Sequence, residues 1–361
     1  MKTNNKLSYL FKDLTVLDLS SVLAGPQVGS FFAELGAKVI KIENKKSGGD
    51  PTRQWKLEGE KGSDVISSYY ASANYCKESL FLDLSLKDDY QVVKRLALTS
   101  DIILSNYQPR VAKKLKVDYQ NLSIDNPKVI YAQLHAYAPD DPRPGYDLVM
   151  QAETGFMSMN GQPDGAPSKM PVAIIDLMAA HQLKEAILIA IIKRDRDAAG
   201  SLVEVSLYQS AIASLANQAS NYLMAEHIPV KMGSLHPNIA PYGDVYFSKD
   251  EIPFILAVGS DAQFRKLGET LNCDKLLSTT FEYNSDRLIH RDKMNKLIES
   301  VFLKKTYLEI EQLLILQGIP FCRVQSLDSV FTQKLAKNMV LEHVIEGNAV
   351  KSVSQIAFTI T

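Results

Sequence analysis

One carboxylate stands alone in an apolar stretch of the sequence. Asp176 is the only charged residue among the ten from Pro171 to Ala180. Burying it ionised and unpaired would cost several kcal/mol, so we expect it to be paired, to have a shifted pKa, or to line an opening where a ligand binds. Apolar residues recur at helical spacing from Leu177 to Ile191, which places Asp176 at the start of a helix. There the N–H groups favour an anion, and the simplest structural role for such an aspartate is the helix N-cap.

Basic residues form a second group with potential chemistry. They fall at or just beyond predicted strand ends: Lys45, Lys46, Lys77, Arg110, Lys113 and Lys114. Ligands of open parallel sheets bind at the carboxyl ends of the strands, and several cations there would suit a multiply phosphorylated ligand. The alternative is a solvated charged face, and the spacing alone favours that alternative.

Two other kinds of site have weak support. The histidines are scattered and form no His-x-x-x-His pair, so no metal site is predicted, and no Gly-x-Ser-x-Gly elbow is present for a serine nucleophile. The turn Gly25-Pro26-Gln27-Val28-Gly29 differs from the Gly-x-Gly-x-x-Gly fingerprint of nicotinamide enzymes. Because Pro26 also lacks an N–H group, these glycines are better explained by tight packing.

The elements that must position these residues are those of an α/β fold. Residues 14–19 read as a strand, 24–36 as a helix and 38–43 as a second strand, which is a βαβ unit of a parallel sheet. Further strands are predicted at 80–84, 101–104, 129–134 and 202–207, with helices at 86–99, 146–159, after Asp176 and up to about 225. A hairpin at 245–258 and helices near 262–271, 291–303 and 307–317 follow.

The domain prediction rests on a change in composition. Residues 229–242 contain three prolines and one glycine, which is typical of a linker. We expect residues 1–225 to form a large Rossmann-like domain, 226–320 a small α/β domain, and 321–361 a segment that returns to the large domain.

The overall composition is that of a globular protein without a charged partner. The 361 residues include 40 Lys and Arg and 41 Asp and Glu, giving a net charge of −1, so nothing indicates nucleic acid or a membrane surface. Three widely spaced cysteines and the absence of an apolar leader after Met1 predict a cytoplasmic location.

Several motifs, taken in order, resemble one family. Its members are the family III CoA-transferases, which include carnitine, formyl and bile-acid CoA-transferases and α-methylacyl-CoA racemase. The resemblance runs from about residue 12 to 345 and is carried by residues 17–26, 34–43, 49–51, 74–84, 101–109, 143–148, 171–180 and 236–242.

The resemblance implies a Rossmann-like large domain, a small domain and a homodimer of interlocked chains. It also implies that Asp176 is the catalytic aspartate, that no cofactor is tightly bound, and that the substrates are an acyl-CoA and a carboxylic acid. The N–H groups at the start of the Asp176 helix are expected to stabilise the oxyanion. The implied CoA contacts are Leu23, Ala24, Lys45, Lys46, Asn74, Lys77, Asn106, Tyr107, Lys114, His135 and Tyr137.

Three positions depart from the family pattern. Asn44 and Lys114 stand where arginines are usual, which removes a bidentate phosphate contact. Ala136 replaces a glycine, which matters if the backbone there has positive φ.

Tyr146, predicted to line the substrate pocket, decides between two reactions. The racemases have a histidine here as one of two bases, and tyrosine is a poor substitute. Transfer is therefore predicted, with a racemase or epimerase, a CoA-binding homologue without turnover and a nicotinamide oxidoreductase as alternatives. Residues 161–171 and 232–242 are the expected wall of the acyl pocket.

Overall fold

The chain divides into two compact units. The structure is a computed structural model, and it describes residues 7–60 and 66–360. The first unit comprises Met1–Phe156, Lys169–Ile228 and Leu335–Thr361. The second comprises Met157–Ser168 and Pro229–Lys334.

The first unit contains a parallel sheet of six strands in the order β3-β2-β1-β4-β5-β6. The strands are β1 (Thr15–Asp18), β2 (Lys38–Asn44), β3 (Glu78–Leu82), β4 (Ile102–Ser105), β5 (Ile130–His135) and β6 (Ser201–Ser206). This is the strand order of doubly wound dinucleotide-binding sheets. The order reverses between β1 and β4, so a ligand crevice is expected beyond the carboxyl ends of those two strands.

Helices cover both faces of this sheet. The helices of the first unit are α1 (Ala24–Glu34), α2 (Ser68–Ala73), α3 (Lys87–Thr99), α4 (Pro109–Leu115), α5 (Tyr119–Ser123), α6 (Asp147–Glu153), α8 (Ile174–Asp197), α9 (Leu207–Ala213) and α10 (Ala216–Ala225), while α7 (Phe156–Met159) falls almost entirely in the second unit. Neighbouring strand residues alternate between two cores: Val16 and Ile102 face the core that includes α1 and α8, whereas Leu17 and Ile103 face the opposite one. Because both faces are buried, these strands read in the sequence as short apolar runs.

The second unit is built on a three-stranded antiparallel sheet. Its strands are β7 (Tyr242–Phe247), β8 (Pro253–Ala257) and β9 (Phe321–Arg323), and its helices are α11 (Asp261–Thr270), α12 (Asn284–Ile289), α13 (Arg291–Phe302), α14 (Tyr307–Leu316) and α15 (Leu327–Val330). The predicted hairpin is thus present as β7 and β8. Because β9 pairs with β8, residues 321–334 lie in the second unit and not in a segment returning to the first.

The C-terminal residues form a hairpin in the first unit. After α16 (Lys334–Asn338), strands β10 (Val340–Ile345) and β11 (Asn348–Val353) pair antiparallel. Ile345 and Val350 pack with Tyr70 and Ala71 of α2. Among the described residues, no helix has the length and apolar character needed to cross a membrane.

Two helix predictions need correction. The predicted helix 146–159 is two helices, because Gly155 has φ of +89° and ends the first. Helix α8 begins at Ile174 with Ala173 as its N-cap, so Asp176 lies in the first turn and is not the N-cap.

Candidate active site

Asp176 lines a cavity at the carboxyl ends of β1, β4 and β5. The cavity has a volume of about 360 Å³ and is formed mainly by residues 21–24, 106–109, 134–136 and 143–146. Asp176 is 8% exposed, so its carboxylate is accessible only from this cavity. Of the three sequence-based expectations for Asp176, which were pairing, a shifted pKa or a ligand opening, its position fits the opening.

The proton affinity of this carboxylate is unusually high. Burial, and then the negative charge of Asp147, raise the pKa of Asp176 to about 7. Near neutral pH the protonated and ionised forms are therefore present in comparable amounts. A group with a pKa close to the working pH is suited to covalent or proton-transfer chemistry.

Asp147, from the start of α6, occupies the N–H groups at the start of α8. Its Oδ1 atom accepts hydrogen bonds from the Ile175 N–H at 2.8 Å and the Asp176 N–H at 3.4 Å. Its Oδ2 atom accepts one from Gln151 Nε2 at 2.6 Å, and Gln151 Oε1 accepts the Met170 N–H at 2.8 Å. The expectation that these helix N–H groups stabilise an oxyanion is therefore wrong for Ile175 and Asp176, since both already have an acceptor.

A different helix start is open to the cavity. Leu23 is the N-cap of α1, and the first turn of α1 has no side-chain cap. Leu23 and Ala24 line the cavity together with Asp176. The N–H groups of this turn are consequently placed to donate to a ligand.

Three of the predicted CoA contacts have structural partners within the protein. Asn106 holds both polar backbone groups of Ser21: its Oδ1 accepts the N–H at 3.1 Å and its Nδ2 donates to the carbonyl at 2.9 Å. Lys77 is buried, and its Nζ donates to Asp18, to the Pro26 carbonyl and to Asn74 Oδ1 at 2.7–3.0 Å. Asn74 and Lys77 therefore do not reach the cavity, whereas Asn106 also lines it.

Two further predicted CoA contacts, His135 and Tyr137, lie at the end of strand β5 and just after it. His135 lines the cavity, and its Nε2 lies 3.0 Å from Glu204 Oε1. Tyr137 is buried, donates to Glu153 at 2.5 Å and lies under the Arg143 guanidinium at 3.8 Å from the ring centroid. Tyr137 therefore supports Arg143, which lines the cavity, and does not line it directly.

The substitution of alanine at position 136 does not distort the backbone. Ala136 is absent from the residues with positive φ. A Cβ atom at position 145 would lie 2.8 Å from the Ala136 Cβ. Glycine is therefore required at position 145, between β5 and α6. The next residue, Tyr146, is 62% exposed and lines the cavity.

The exposed cations lie to one side, beyond β2 and on α4. Lys46 is bound to Asp83 at 2.9 Å and to Ser85 at 2.8 Å, while Lys45 and Lys114 are exposed. A second pocket of about 190 Å³ lies near Lys45 and is lined by Asn44, Ser47 and Tyr107 among others. Ser21 and Tyr107 line both pockets, so the two are neighbours along the strand ends.

Some residues at the site carry no signal in the sequence. Tyr69 is one: burial raises its pKa, followed by the charges of Asp176 and Asp147, which places its hydroxyl near both carboxylates. Its ring packs edge-on against Trp55, with centroids 5.0 Å apart. The described residues contain no cluster of His, Cys, Asp and Glu that could hold a metal ion.

The expected walls of the acyl pocket meet in the second unit. The Gly233 N–H donates to the Gly161 carbonyl at 2.9 Å. Residues 161–168 and 232–242 therefore belong together, while residues 169–171 belong to the first unit.

Comparison with known proteins identifies the family. The profile described as CoA-transferase family III matches residues 11–360. The chain belongs to the family III CoA-transferases. The resemblance of the sequence motifs is thereby confirmed, and the chain is an enzyme of this family rather than a nicotinamide oxidoreductase.

Relatives of known activity and structure agree with this assignment. A succinate–glutarate CoA-transferase from Agrobacterium fabrum is 34% identical over 325 residues, covering 88% of this chain and 80% of that protein. An acetyl-CoA:oxalate CoA-transferase from Acetobacter aceti is 28% identical and covers 94% of this chain and 88% of the relative. The crystal structure of a CAIB/BAIF family protein from Brucella suis is 31% identical, with a TM-score of 0.80, covering 96% of this chain and 92% of that one. The parallel α/β fold is therefore that of this CoA-transferase family.

Proposed function

We propose that Asp176 is the nucleophile of this CoA-transferase and carries CoA between two acids as a covalent thioester. The observation that supports this most directly is that Asp176, a buried carboxylate with a raised pKa, lines a cavity formed mainly by loops at strand ends. A carboxylate suits the task, because anhydride and thioester are close enough in energy to interconvert without water.

The reaction proceeds in four exchanges. The Asp176 carboxylate attacks the thioester carbonyl of the donor, the C–S bond breaks, and a mixed anhydride and CoA thiolate result. The thiolate attacks the Asp176 carbonyl of the anhydride, which releases the donor acid and leaves aspartyl-CoA. The acceptor carboxylate then attacks aspartyl-CoA and expels the thiolate, and the thiolate attacks the acceptor acyl carbon. The last exchange releases the new acyl-CoA and restores the Asp176 carboxylate.

The oxyanion of each tetrahedral intermediate is assigned to the start of α1. Leu23 and Ala24 line the cavity, and the first turn of α1, where they lie, has no side-chain cap. Donors fixed in place before the reaction are worth most where water is excluded. Asp147 serves a different purpose, since it orients the first turn of α8 and raises the proton affinity of Asp176.

The CoA moiety is proposed to lie along the strand ends. The smaller pocket between Asn44 and Tyr107 adjoins the Asp176 cavity at Ser21 and Tyr107. A pantetheine arm running from one to the other would bring the sulfur to Asp176 and leave the phosphates near exposed Lys45. The exposed cation and the two adjoining pockets suit a phosphorylated nucleotide with an extended arm.

Short dicarboxylic acids are the proposed acyl groups. The relatives named above act on succinate and glutarate and on oxalate. The nucleophile, the loop arrangement and the strand order would serve any acyl group and do not select one. The assignment of the acyl group therefore rests on those relatives.

The test is an incubation with a panel of dicarboxylic and monocarboxylic acyl-CoAs and free acids, followed by mass spectrometry of the intact protein and of the Asp176 peptide. We expect exchange of CoA between acids and an adduct of CoA on Asp176. Asp176→Asn should abolish both, whereas Asp195→Asn, at an exposed position near the far end of the same helix, should retain both. Turnover by Asp176→Asn at the wild-type rate would exclude this mechanism. Deuterium from solvent at the α-carbon without CoA exchange would indicate a racemase instead.

A further inference from the structure

The loop between β1 and α1 contains a residue in an unfavourable conformation. Val22 has φ of +72°, in the left-handed region that β-branched residues rarely occupy. Val22 and the residues on either side of it line the Asp176 cavity. Such a conformation persists only when the surroundings enforce it.

Asp50 is the residue that enforces it. Its carboxylate accepts the Val22 N–H at 3.2 Å through Oδ2 and at 3.4 Å through Oδ1. The side chain of Asp50 is 1% exposed, and Oδ1 also accepts the N–H and the hydroxyl of Thr52 at 3.0 and 2.7 Å. Asp50 itself is therefore fixed, and the Val22 N–H has a charged acceptor that does not move.

Two buried cations complete the support of this loop. Lys41 Nζ lies 3.0 Å from Asp50 Oδ2 and donates to the Ser20 carbonyl at 2.7 Å. Asp18, paired with Lys77 at 2.8 Å, accepts the Ser20 N–H at 3.0 Å and the Ser20 hydroxyl at 2.5 Å. The two carboxylates and two ammonium groups balance in charge, and with Asn106 they bind the polar backbone groups on both sides of Val22.

We propose that Asp50 is a positioning residue for CoA transfer, which holds Val22 in its left-handed conformation and so sets the Leu23–Ala24 turn against the Asp176 cavity. This inference rests on the proposed function, in which that turn receives the oxyanion. Asp50 lines the smaller pocket but not the Asp176 cavity, and it acts on the reacting centre through the backbone of Val22.

The test uses the fact that glycine adopts positive φ without strain whereas alanine and valine do not. Asp50→Asn is introduced into the wild-type chain, into V22A and into V22G, and the rate of CoA transfer is measured for all six proteins. We expect D50N to lower kcat by about tenfold in the wild-type and V22A backgrounds, the factor that corresponds to the cost of a non-glycine residue at positive φ. In V22G the same change should lower kcat by about threefold or less, because the loop no longer needs the restraint.

A purely structural role for Asp50 predicts a different result. Loss of stability would reduce activity equally in V22A and V22G, so equal effects of D50N in these two backgrounds would overturn the inference. So would an unchanged kcat for a folded D50N protein. If D50N alone does not fold, the double variant K41M/D50N is used in place of D50N in all three backgrounds. The double variant also removes the buried Lys41 ammonium, which D50N leaves without its charged partner.

Hydrogen exchange separates this inference from the proposed function. In D50N the amide of Val22 loses its charged acceptor, so the peptide covering residues 19–25 should exchange faster than in the wild type, whether or not the protein transfers CoA. Unchanged protection there would overturn the inference even if transfer is observed. A wild-type protein without transfer activity, but with the expected loss of protection, would instead contradict the proposed function alone.

Discussion

At the scale of single residues, Asp176 must satisfy two opposing requirements. The nucleophile that we propose must be ionised, but the burial of Asp176 and then the nearby charge of Asp147 favour its protonated form. The first turn of α8 would ordinarily stabilise its anion, yet Asp147 accepts the N–H groups of that turn. In the proposed mechanism, Asp176 is therefore protonated in a fraction of the molecules near neutral pH.

The pH dependence of the reaction follows from this balance. We expect kcat/KM of the wild-type enzyme to rise with pH and to level off above about 7, where Asp176 is ionised. Asp147→Asn removes the like charge and should move the midpoint to lower pH, while burial keeps it above the ordinary value for aspartate. Rate profiles at saturating and limiting acyl-CoA measure this. A midpoint that stays in place in Asp147→Asn would contradict the assigned influence of Asp147.

The same raised pKa makes Asp176 a cost to stability at high pH. The folded state holds the proton up to about pH 7, whereas the unfolded chain releases it near the ordinary 3.8. The stability that this proton provides is therefore present at low pH and lost as pH rises through 7, a difference of up to about 4 kcal/mol.

Asp176→Asn should consequently be more stable than the wild type at pH 8, with the difference shrinking towards pH 4.5. Thermal unfolding of both proteins across this range tests it, because all other titrating groups are shared. A stability difference that does not change with pH would show that Asp176 is not desolvated in solution.

At the scale of elements, the buried charges beneath the β1–α1 loop connect the end of β1, the middle of β2 and the start of β3 to one turn. Lys77 precedes β3, and Asp18 ends β1, so their ion pair connects residues 59 positions apart. We expect Lys77→Met to lower the unfolding temperature by about 10 °C, since an unpaired buried carboxylate costs about 3–5 kcal/mol. The double variant D18N/K77M should recover much of this loss.

Lys77 also distinguishes a structural role from CoA binding. If its ammonium contacted a CoA phosphate, K77M would weaken CoA binding while leaving the unfolding temperature unchanged. Calorimetric titration of CoA alongside thermal unfolding separates the two results, and the first would contradict the placement described above.

The C-terminal hairpin has its own pH-sensitive residue. His343 on β10 is 5% exposed, its ring packs on Tyr75 at 4.8 Å between centroids, and among the described residues neither ring nitrogen has a hydrogen-bond partner. Burial lowers the pKa of His343. The unfolded chain therefore gains a proton near pH 6.5 that the folded hairpin does not, and stability is lost as pH falls below that value.

His343→Phe should abolish this contribution. We expect the variant to be more stable than the wild type at pH 5 and closer to it at pH 7.5, as measured by thermal unfolding. An identical pH dependence in both proteins would mean that His343 finds a partner in solution.

The predictability of the elements differs from that of the site. The strands were predictable because a parallel sheet covered on both faces turns Val16, Leu17, Ile102 and Ile103 into local apolar runs. The position of Asp176 near a helix start followed from the same local patterning. The partners of Asp176 did not follow from local patterning. The N–H groups at the start of its helix donate to Asp147, 29 residues earlier in the chain, and no local sequence pattern indicates such a contact. The family resemblance implies a CoA contact for Lys77, and nothing near Lys77 in the sequence indicates its structural partner Asp18.

At the scale of the whole molecule, the family resemblance predicts an interlocked homodimer. Chains linked in this way cannot separate without unfolding, so subunit exchange should be far slower than for an ordinary dimer. Mixing tagged and untagged protein, followed by native mass spectrometry, should show dimers of each kind and no mixed species over hours. Mixed dimers formed within minutes, or a monomer at micromolar concentration, would contradict the prediction.

The four buried charges of the first unit have a consequence for recognising inactive relatives. Asp18, Lys41, Asp50 and Lys77 stabilise the fold as well as the shape of the β1–α1 loop. A descendant that has lost catalysis would therefore gain nothing by losing these four residues. Folding does not require Asp176, because the ionised form of this residue destabilises the fold. A pseudoenzyme derived from this chain should therefore keep the quartet and replace Asp176, and only the latter position should be used to judge whether a sequence encodes an active transferase.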